Sequence, residues 1–313
     1  MDNHYVVTGG AGFIGSAIVR ALLREGARKV LVIDNFLTGH ESNLDEVRAS
    51  IDLQRADIRC YDEIAPLIRG AAVVFHEAAI PSVPRSIEDP VPSHDVNIDG
   101  TFNVLRAAHK GHAGRVVYAA SSSAYGDTEV LPKVETMNPH PKSPYALQKL
   151  VGEYYCGVFS DVYGIETVAL RYFNVYGPRQ DPSSPYSGVL SVFMKAVLGR
   201  RPPTIFGDGE QSRDFTYVDD VAALNLKAAR APNVSGKFYN AGNGGRVTLK
   251  QAWALLQKIE GVEIPPQFGP PRPGDVRDSQ ADTTLAVRDL GHAPQYSFDE
   301  GMRHTLDWYR HSR

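Results

Sequence analysis

Cysteine is almost missing from this chain: Cys60 and Cys156 are the only two among 313 residues. They lie far apart and without metal-ligand spacing, which leaves no material for a disulfide framework or a zinc site. No apolar run approaches the ~18 residues of a membrane span. The first strand-like segment begins within about five residues of Met1, too soon for a basic stretch and apolar core of a signal peptide. An excess of basic charge is lacking as well. The 33 Lys and Arg stand against 36 Asp and Glu, a formal net charge of −3, and a nucleic-acid surface is not expected. Neither a fixed-period repeat nor a low-complexity tract is present. These absences point to a globular cytoplasmic protein without nucleic-acid or membrane partners. Hydrophobic residues make up 42% of it, enough for one large or two interlocked cores.

Glycine, by contrast, is placed with purpose. In Tyr5-Val6-Val7-Thr8-Gly9-Gly10-Ala11-Gly12-Phe13-Ile14-Gly15, the evenly spaced Gly9, Gly12 and Gly15 separate a β-branched strand from a helix. Residues without a Cβ let the backbone approach phosphate oxygens, and the helix start directs unpaired N–H groups at them. Such a turn also serves simply to pack a helix on a sheet, so the context decides. Lys29-Val30-Leu31-Val32-Ile33-Asp34 reads as the next strand, and Asp34 ends it about 20 residues after the glycines, where a dinucleotide fold needs a carboxylate for the ribose hydroxyls. An acid there repels a 2′-phosphate. NAD is therefore expected rather than NADP, and a reductase that releases NADP at each turnover is disfavoured.

Further β-branched runs at Val73–Phe75, Arg115–Tyr118 and Thr167–Leu170 alternate with helical stretches. The alternation predicts an α/β fold with a Rossmann-type, doubly wound parallel sheet. From about Gly177 the prolines multiply, which divides the chain into a cofactor-binding domain over residues 1–175 and a smaller mixed α/β substrate domain over 176–313, with some segments of the latter returning to the first. The helices expected over Val96–Ala108 and Tyr145–Val162 carry apolar residues on more than one face, and a homodimer through them is expected.

Ala119-Ala120-Ser121-Ser122-Ser123-Ala124-Tyr125-Gly126 ends one strand, and Tyr145-Ala146-Leu147-Gln148-Lys149 opens a helix about twenty residues later. Residues four apart share a helical face, so the Lys149 ammonium can stand near the Tyr145 phenol. Bringing a tyrosine from a pKa near 10 to about 7 takes roughly 4 kcal/mol of preference for the phenolate, which a lysine and a nicotinamide cation together can supply. The Ser121 hydroxyl, at the carboxyl end of a strand, can align a substrate oxygen with that phenol. Alone, Tyr-x-x-x-Lys is an ordinary amphipathic helix and three serines are a polar strand end. Their coincidence with the glycine run, in this order, carries the reading, and both Tyr145 and Lys149 would be dispensable in a merely nucleotide-sensing module.

TGGAGFIG, Asp57-Ile58, His76-Glu77-Ala78-Ala79, Asn97, SSSAYGD, YALQK and Arg171-Tyr172-Phe173-Asn174 together resemble the extended short-chain dehydrogenase/reductase family, and within it the nucleotide-sugar 4-epimerases. The resemblance runs from Val6 to Tyr309. It implies tightly held NAD, a UDP-sugar between the two regions, oxidation and reduction at the sugar C4 through a 4-keto intermediate, and a catalytic set of Ser121, Ser122, Ser123, Tyr145 and Lys149. By the same resemblance Gly9, Gly12, Phe13, Ile14, Gly15, Asp34, Asn35 and Phe36 bind the cofactor. So do Thr38, Gly39, Asp57, Ile58, Ala78, Ala79, Asn97 and Tyr172, together with Tyr145 and Lys149. On the substrate side it implies Ser123, Asn174, Val189 and Leu190 around the sugar nucleotide, Phe206 on the uracil, Arg213 and Arg272 on the diphosphate, and Asp275 on the uridine ribose. Dehydratases and decarboxylases of the family carry a carboxylic acid where this chain has Ser122 and Ser123, and those chemistries are disfavoured. Ser279 resembles the gate beside the sugar 2-substituent. A small residue there leaves room for an N-acetyl group, which implies UDP-GlcNAc/UDP-GalNAc interconversion with UDP-Glc/UDP-Gal also accepted. UDP-glucuronate is the alternative, with Ser123, Arg85 or Arg179 receiving its carboxylate.

Overall fold

Six strands come in order from the first part of the chain: β1 (His4–Thr8), β2 (Lys29–Asp34), β3 (Asp52–Arg55), β4 (Val73–His76), β5 (Arg115–Ser121) and β6 (Glu166–Tyr172). In the computed structural model, which describes residues 4–181, 188–271 and 276–311, they lie in the order β6-β5-β4-β1-β2-β3. A seventh strand, Lys237–Ala241, comes from the second half and pairs with β6 from Lys237↔Val168 to Ala241↔Tyr172. All six pairings are parallel. This is the doubly wound α/β sheet that the alternation predicts.

Successive side chains along each strand serve opposite faces. Val6, Leu31, Val74 and Val116 enter one core, and Val7, Val32, Phe75 and Val117 the other. Helix α1 (Phe13–Arg24) fills the second with Ala17, Ile18 and Leu22, and the long helix Pro144–Tyr163 covers the first with Cys156 and Phe159. Two strands escape the sequence alternation. β3 reads DLQR, and none of its four residues is buried. Lys237–Ala241 stands far along the chain, and its place follows from tertiary pairing.

The helix expected over Val96–Ala108 begins with a π-helical turn, Asp95–Gly100, and continues as the α-helix Thr101–Lys110. The widened turn carries Asn97 inward. Its Oδ1 accepts the Ile80 N–H at 2.9 Å, and its Nδ2 donates to the Ile80 carbonyl at 3.1 Å and to Gln148 Oε1 at 3.0 Å. These bonds offset the poorer helical geometry.

Residues after about 175 build an apolar core of their own around Phe193, Met194, Trp253, Leu256, Met302 and Leu306. The helix Val218–Ala228 instead packs on α1 and adds Leu224 and Leu226 to the first region's core. Among the described residues no helix is long and apolar enough to cross a membrane.

Candidate active site

At the carboxyl end of β1 the chain turns through Gly9 at φ +68°, where a Cβ would stand 2.6 Å from the Ala78 nitrogen. A Cβ on Gly15 would come within 2.2 Å of the Gly9 carbonyl oxygen. Both positions therefore exclude any side chain, and the start of α1 lies bare beside the loop after β4. At the end of β2, Asp34 Oδ2 accepts the Ala11 N–H at 2.9 Å and Oδ1 accepts the Phe36 N–H at 2.8 Å. Burial raises this carboxyl above its ordinary pKa, and the two N–H bonds pull it back. Phe36 itself takes φ +60°.

These groups open into a cleft of ≈ 920 Å³. Gly9, Gly12, Phe13, Ile14, Gly15, Asp34, Asn35, Thr38, Gly39, Ile58, Ala78 and Ala79 line it, together with Ser121, Ser122, Ser123, Tyr145, Lys149, Tyr172, Asn174, Arg213 and Ser279. The sheet topology explains the meeting: these residues sit at or just beyond the carboxyl ends of parallel strands, or on elements packed over them.

Ser143 caps the long helix by accepting the Ala146 N–H at 3.2 Å, and Pro144 supplies a fixed φ at its first turn. The Tyr145 N–H is held by Ser86 Oγ at 3.1 Å. The phenol thereby enters the cleft beside Ser121 at the end of β5. Ser121 Oγ also meets Ser123 Oγ at 2.8 Å and accepts the Ser123 N–H at 3.2 Å. Burial pushes the Tyr145 phenol above its ordinary pKa; the neighbouring Ser121 hydroxyl opposes this and the nearby Glu77 adds to it. Lys149 follows one turn later with its ammonium 4.5 Å from the centre of the Tyr118 ring. Burial lowers its pKa, and Glu77 works against that lowering.

A family model described as the NAD dependent epimerase/dehydratase family matches residues 5–242. The chain belongs to this family. It is 38% identical over 309 residues to a putative UDP-glucose 4-epimerase of Methanocaldococcus jannaschii, covering 98% of each chain. It is similar in structure to the UDP-glucose 4-epimerase of Thermotoga maritima, solved with UDP-glucose, at a TM-score of 0.94, 37% identity and 99% coverage of both chains. A UDP-N-acetylglucosamine 4-epimerase from Methanobrevibacter ruminantium, solved with UDP-N-acetylmuramic acid, gives a TM-score of 0.95 at 36% identity, covering 100% of this chain and 99% of that one. NAD is the cofactor of this enzyme, and the side-chain-free approach at Gly9 and Gly15 beside the Asp34 carboxylate fits a dinucleotide.

Among the other residues expected to act in this epimerase/dehydratase site, some stand apart from the cleft. Asn97 is 1% exposed, and its amide braces Ile80 and Gln148. Asp57, next to Ile58, receives Asn35 Nδ2 at 2.9 Å and the Arg59 guanidinium at 3.0 and 2.7 Å; the Arg59 bonds above all lower its pKa to about 2. The Leu190 side chain is buried in the core around Phe193 and Trp253, with Val189 half-buried beside it. Phe206 lines a second cavity of ≈ 630 Å³ with Gln211, Lys250 and Phe268, and Val276 borders both cavities. Arg213 is anchored by the carbonyls of Ser212 at 2.9 Å and Arg277 at 2.8 Å. Asn174 Nδ2 donates to Ser279 Oγ at 3.0 Å. Arg272 and Asp275 lie outside the described residues.

Two cleft residues went unassigned in the sequence. Glu77 accepts the Tyr172 hydroxyl at 2.8 Å, and burial raises its carboxyl pKa while Tyr172 and Lys149 hold it down. Its signal was an acid directly after a buried strand. Lys133 is 2% exposed, with its ammonium bonded to the carbonyls of Thr128 and Val130. Nothing in its sequence neighbourhood marks it.

Proposed function

We propose that this enzyme inverts C4 of UDP-sugars, interconverting UDP-GlcNAc with UDP-GalNAc and UDP-Glc with UDP-Gal. The observation that carries the reading is the meeting of Ser121, Tyr145 and Lys149 in one cleft with the small Ser279, and no carboxylic acid at positions 122 and 123. The relatives named as UDP-glucose and UDP-N-acetylglucosamine 4-epimerases support the UDP-sugar class. The choice of the larger sugar rests on Ser279.

In this reading the Tyr145 phenolate takes the proton of the 4-hydroxyl and later returns it. The Ser121 hydroxyl, in the same cleft as the phenol, holds the substrate oxygen in line. The Lys149 ammonium favours the phenolate and reaches toward the cofactor ribose. Bound NAD supplies a reversible two-electron acceptor, so the sugar leaves with no net oxidation. A 4-keto sugar then turns within the cleft and is reduced on its other face. Arg213, presented from two backbone carbonyls, suits a diphosphate. Phe206, from a cavity that adjoins the cleft at Val276, suits the uracil. Arg85 lines the cleft and favours UDP-glucuronate as the second reading, whereas Arg179 pairs with Glu46 at 2.8 Å.

The test is a product assay without added cofactor on UDP-GlcNAc, UDP-Glc and UDP-GlcA, with each 4-epimer resolved by chromatography. UDP-GalNAc together with UDP-Gal is expected. UDP-GalA alone would promote the second reading, and no product even with NAD supplied would reject the epimerase.

We also propose a homodimer. Leu147, Tyr154, Val158 and Val162 of the long helix are each at least half exposed, and Phe102 on Thr101–Lys110 is 39% exposed. A helix pair that leaves such a stripe uncovered is completed by a second copy. Light scattering at micromolar concentration should give twice 34.3 kDa, and a monomer mass would remove the proposal.

A further inference from the structure

We propose that Tyr118 is a positioning residue for Lys149, holding the lysine ammonium on the face of its ring and the lysine backbone carbonyl on its hydroxyl. The inference rests on the reading of Lys149 as the group that sustains the Tyr145 phenolate.

Tyr118 lies within β5 and is completely buried. Its ring centre stands 4.5 Å from Lys149 Nζ, within cation–π range, and its hydroxyl donates to the Lys149 carbonyl at 3.2 Å. One aromatic side chain therefore meets both ends of the same lysine. The helix is shaped to admit it: a Cβ on Gly152 would stand 2.2 Å from the Tyr118 hydroxyl oxygen, so the phenol reaches the helix backbone only because position 152 has no side chain. Beyond the ring lies His76, with centroids 5.6 Å apart. That imidazole is fixed in turn by Thr8 Oγ1 at 2.8 Å and Thr101 Oγ1 at 3.0 Å. The ring has little room to swing away.

A buried ammonium needs a source of negative potential to stay protonated. The ring face is one, and Lys149, 4% exposed, has little contact with solvent to replace it. The other titratable groups facing Lys149 are accounted for. Glu77, after β4, favours the ammonium. His76, on β4, is kept neutral by burial, with its pKa lowered to about 3. Cys156, on the long helix, is a thiol that burial keeps protonated. Tyr145, on the same helix, is the phenol that Lys149 serves.

The test is the pH profile of kcat for the holoenzyme with the UDP-sugar that it turns over. Loss of the Lys149 proton should set the alkaline limb. Tyr118→Leu removes ring and hydroxyl and should move that limb to lower pH by about one unit. Tyr118→Phe keeps the ring and should leave the limb in place. Trifluorinated phenylalanine at position 118 has nearly the shape of phenylalanine but a weakened face, so it should shift the limb as Tyr118→Leu does, and it decides the matter if the leucine variant does not fold. An unmoved limb in both face-weakened variants would overturn the proposal, as would a shift in Tyr118→Phe as large as in Tyr118→Leu. Lys149→Met separates the two readings. Retained turnover in it would refute the role of Lys149 itself, and lost turnover with unmoved limbs at position 118 would refute Tyr118 alone.

Discussion

Replacing Tyr145 with phenylalanine should leave NAD bound and lower kcat by about 10³-fold, within the range that a positioned proton-transfer group contributes. The substitution keeps the ring and removes one oxygen. The glycine turn and Asp34 at the other strand ends are untouched, which is why the cofactor stays. The missing oxygen is the one that lies beside Ser121 in the cleft. Burial keeps the phenol protonated when nothing cationic faces it, so the phenolate depends on positive charge gathered on this side of the cleft. Nucleotide extracted from the purified variant, measured beside its turnover, checks both halves of the expectation. Turnover near the wild-type rate would remove Tyr145 as the base.

The second large effect concerns the sugar. Ser279→Tyr should lower kcat/KM for UDP-GlcNAc by about 10²-fold and change that for UDP-Glc by less than about threefold, as a pocket filled against one bulky group discriminates. Ser279 is tied by its backbone N–H to the Ser212 carbonyl at 3.1 Å, a bond that any residue can make. Its hydroxyl accepts from Asn174 Nδ2 at 3.0 Å and from the Asp214 N–H at 3.5 Å, so the tyrosine loses these two hydrogen bonds and adds a ring in a place that borders the cleft. The ratio of the two specificity constants is the quantity to measure, since a general loss of folding or cofactor lowers both. Equal losses on the two sugars would show that Ser279 does not stand beside the 2-substituent.

What the sequence disclosed, and what it hid, divides by the range of the interactions. β1, α1 and β2 were legible because glycine spacing, a β-branched run and an acid lie within one short window, each with its own local reason. The long helix was legible from its apolar periodicity and from Tyr145 and Lys149 one turn apart. Other features depend on partners distant in the chain. Asn97 bonds Ile80 and Gln148 from a π-turn that no local pattern announces. The Leu190 side chain fills the core around Phe193 and Trp253, and an apolar residue at a helix start reads alike there or against a nucleotide. β3 is too polar to stand out. Lys237–Ala241 gains its identity only from β6 beside it.

That last strand bears on how the protein can be made and cut. The sheet's outer edge is completed by a segment that leaves the ribosome well after β6, so the nascent chain must carry Val168–Tyr172 of β6 with one side unpaired until then. An open parallel edge of that length is adhesive toward other chains. Arg115 ties the same halves again, since its guanidinium bonds the carbonyls of Ala228 and Ala231. A fragment ending near residue 175 would retain the glycine turn, Tyr145 and Lys149, yet it would lack the edge strand and these anchors. Dissection at the apparent midpoint is therefore the wrong way to obtain a minimal cofactor-binding unit, and a viable one has to extend through Ala241.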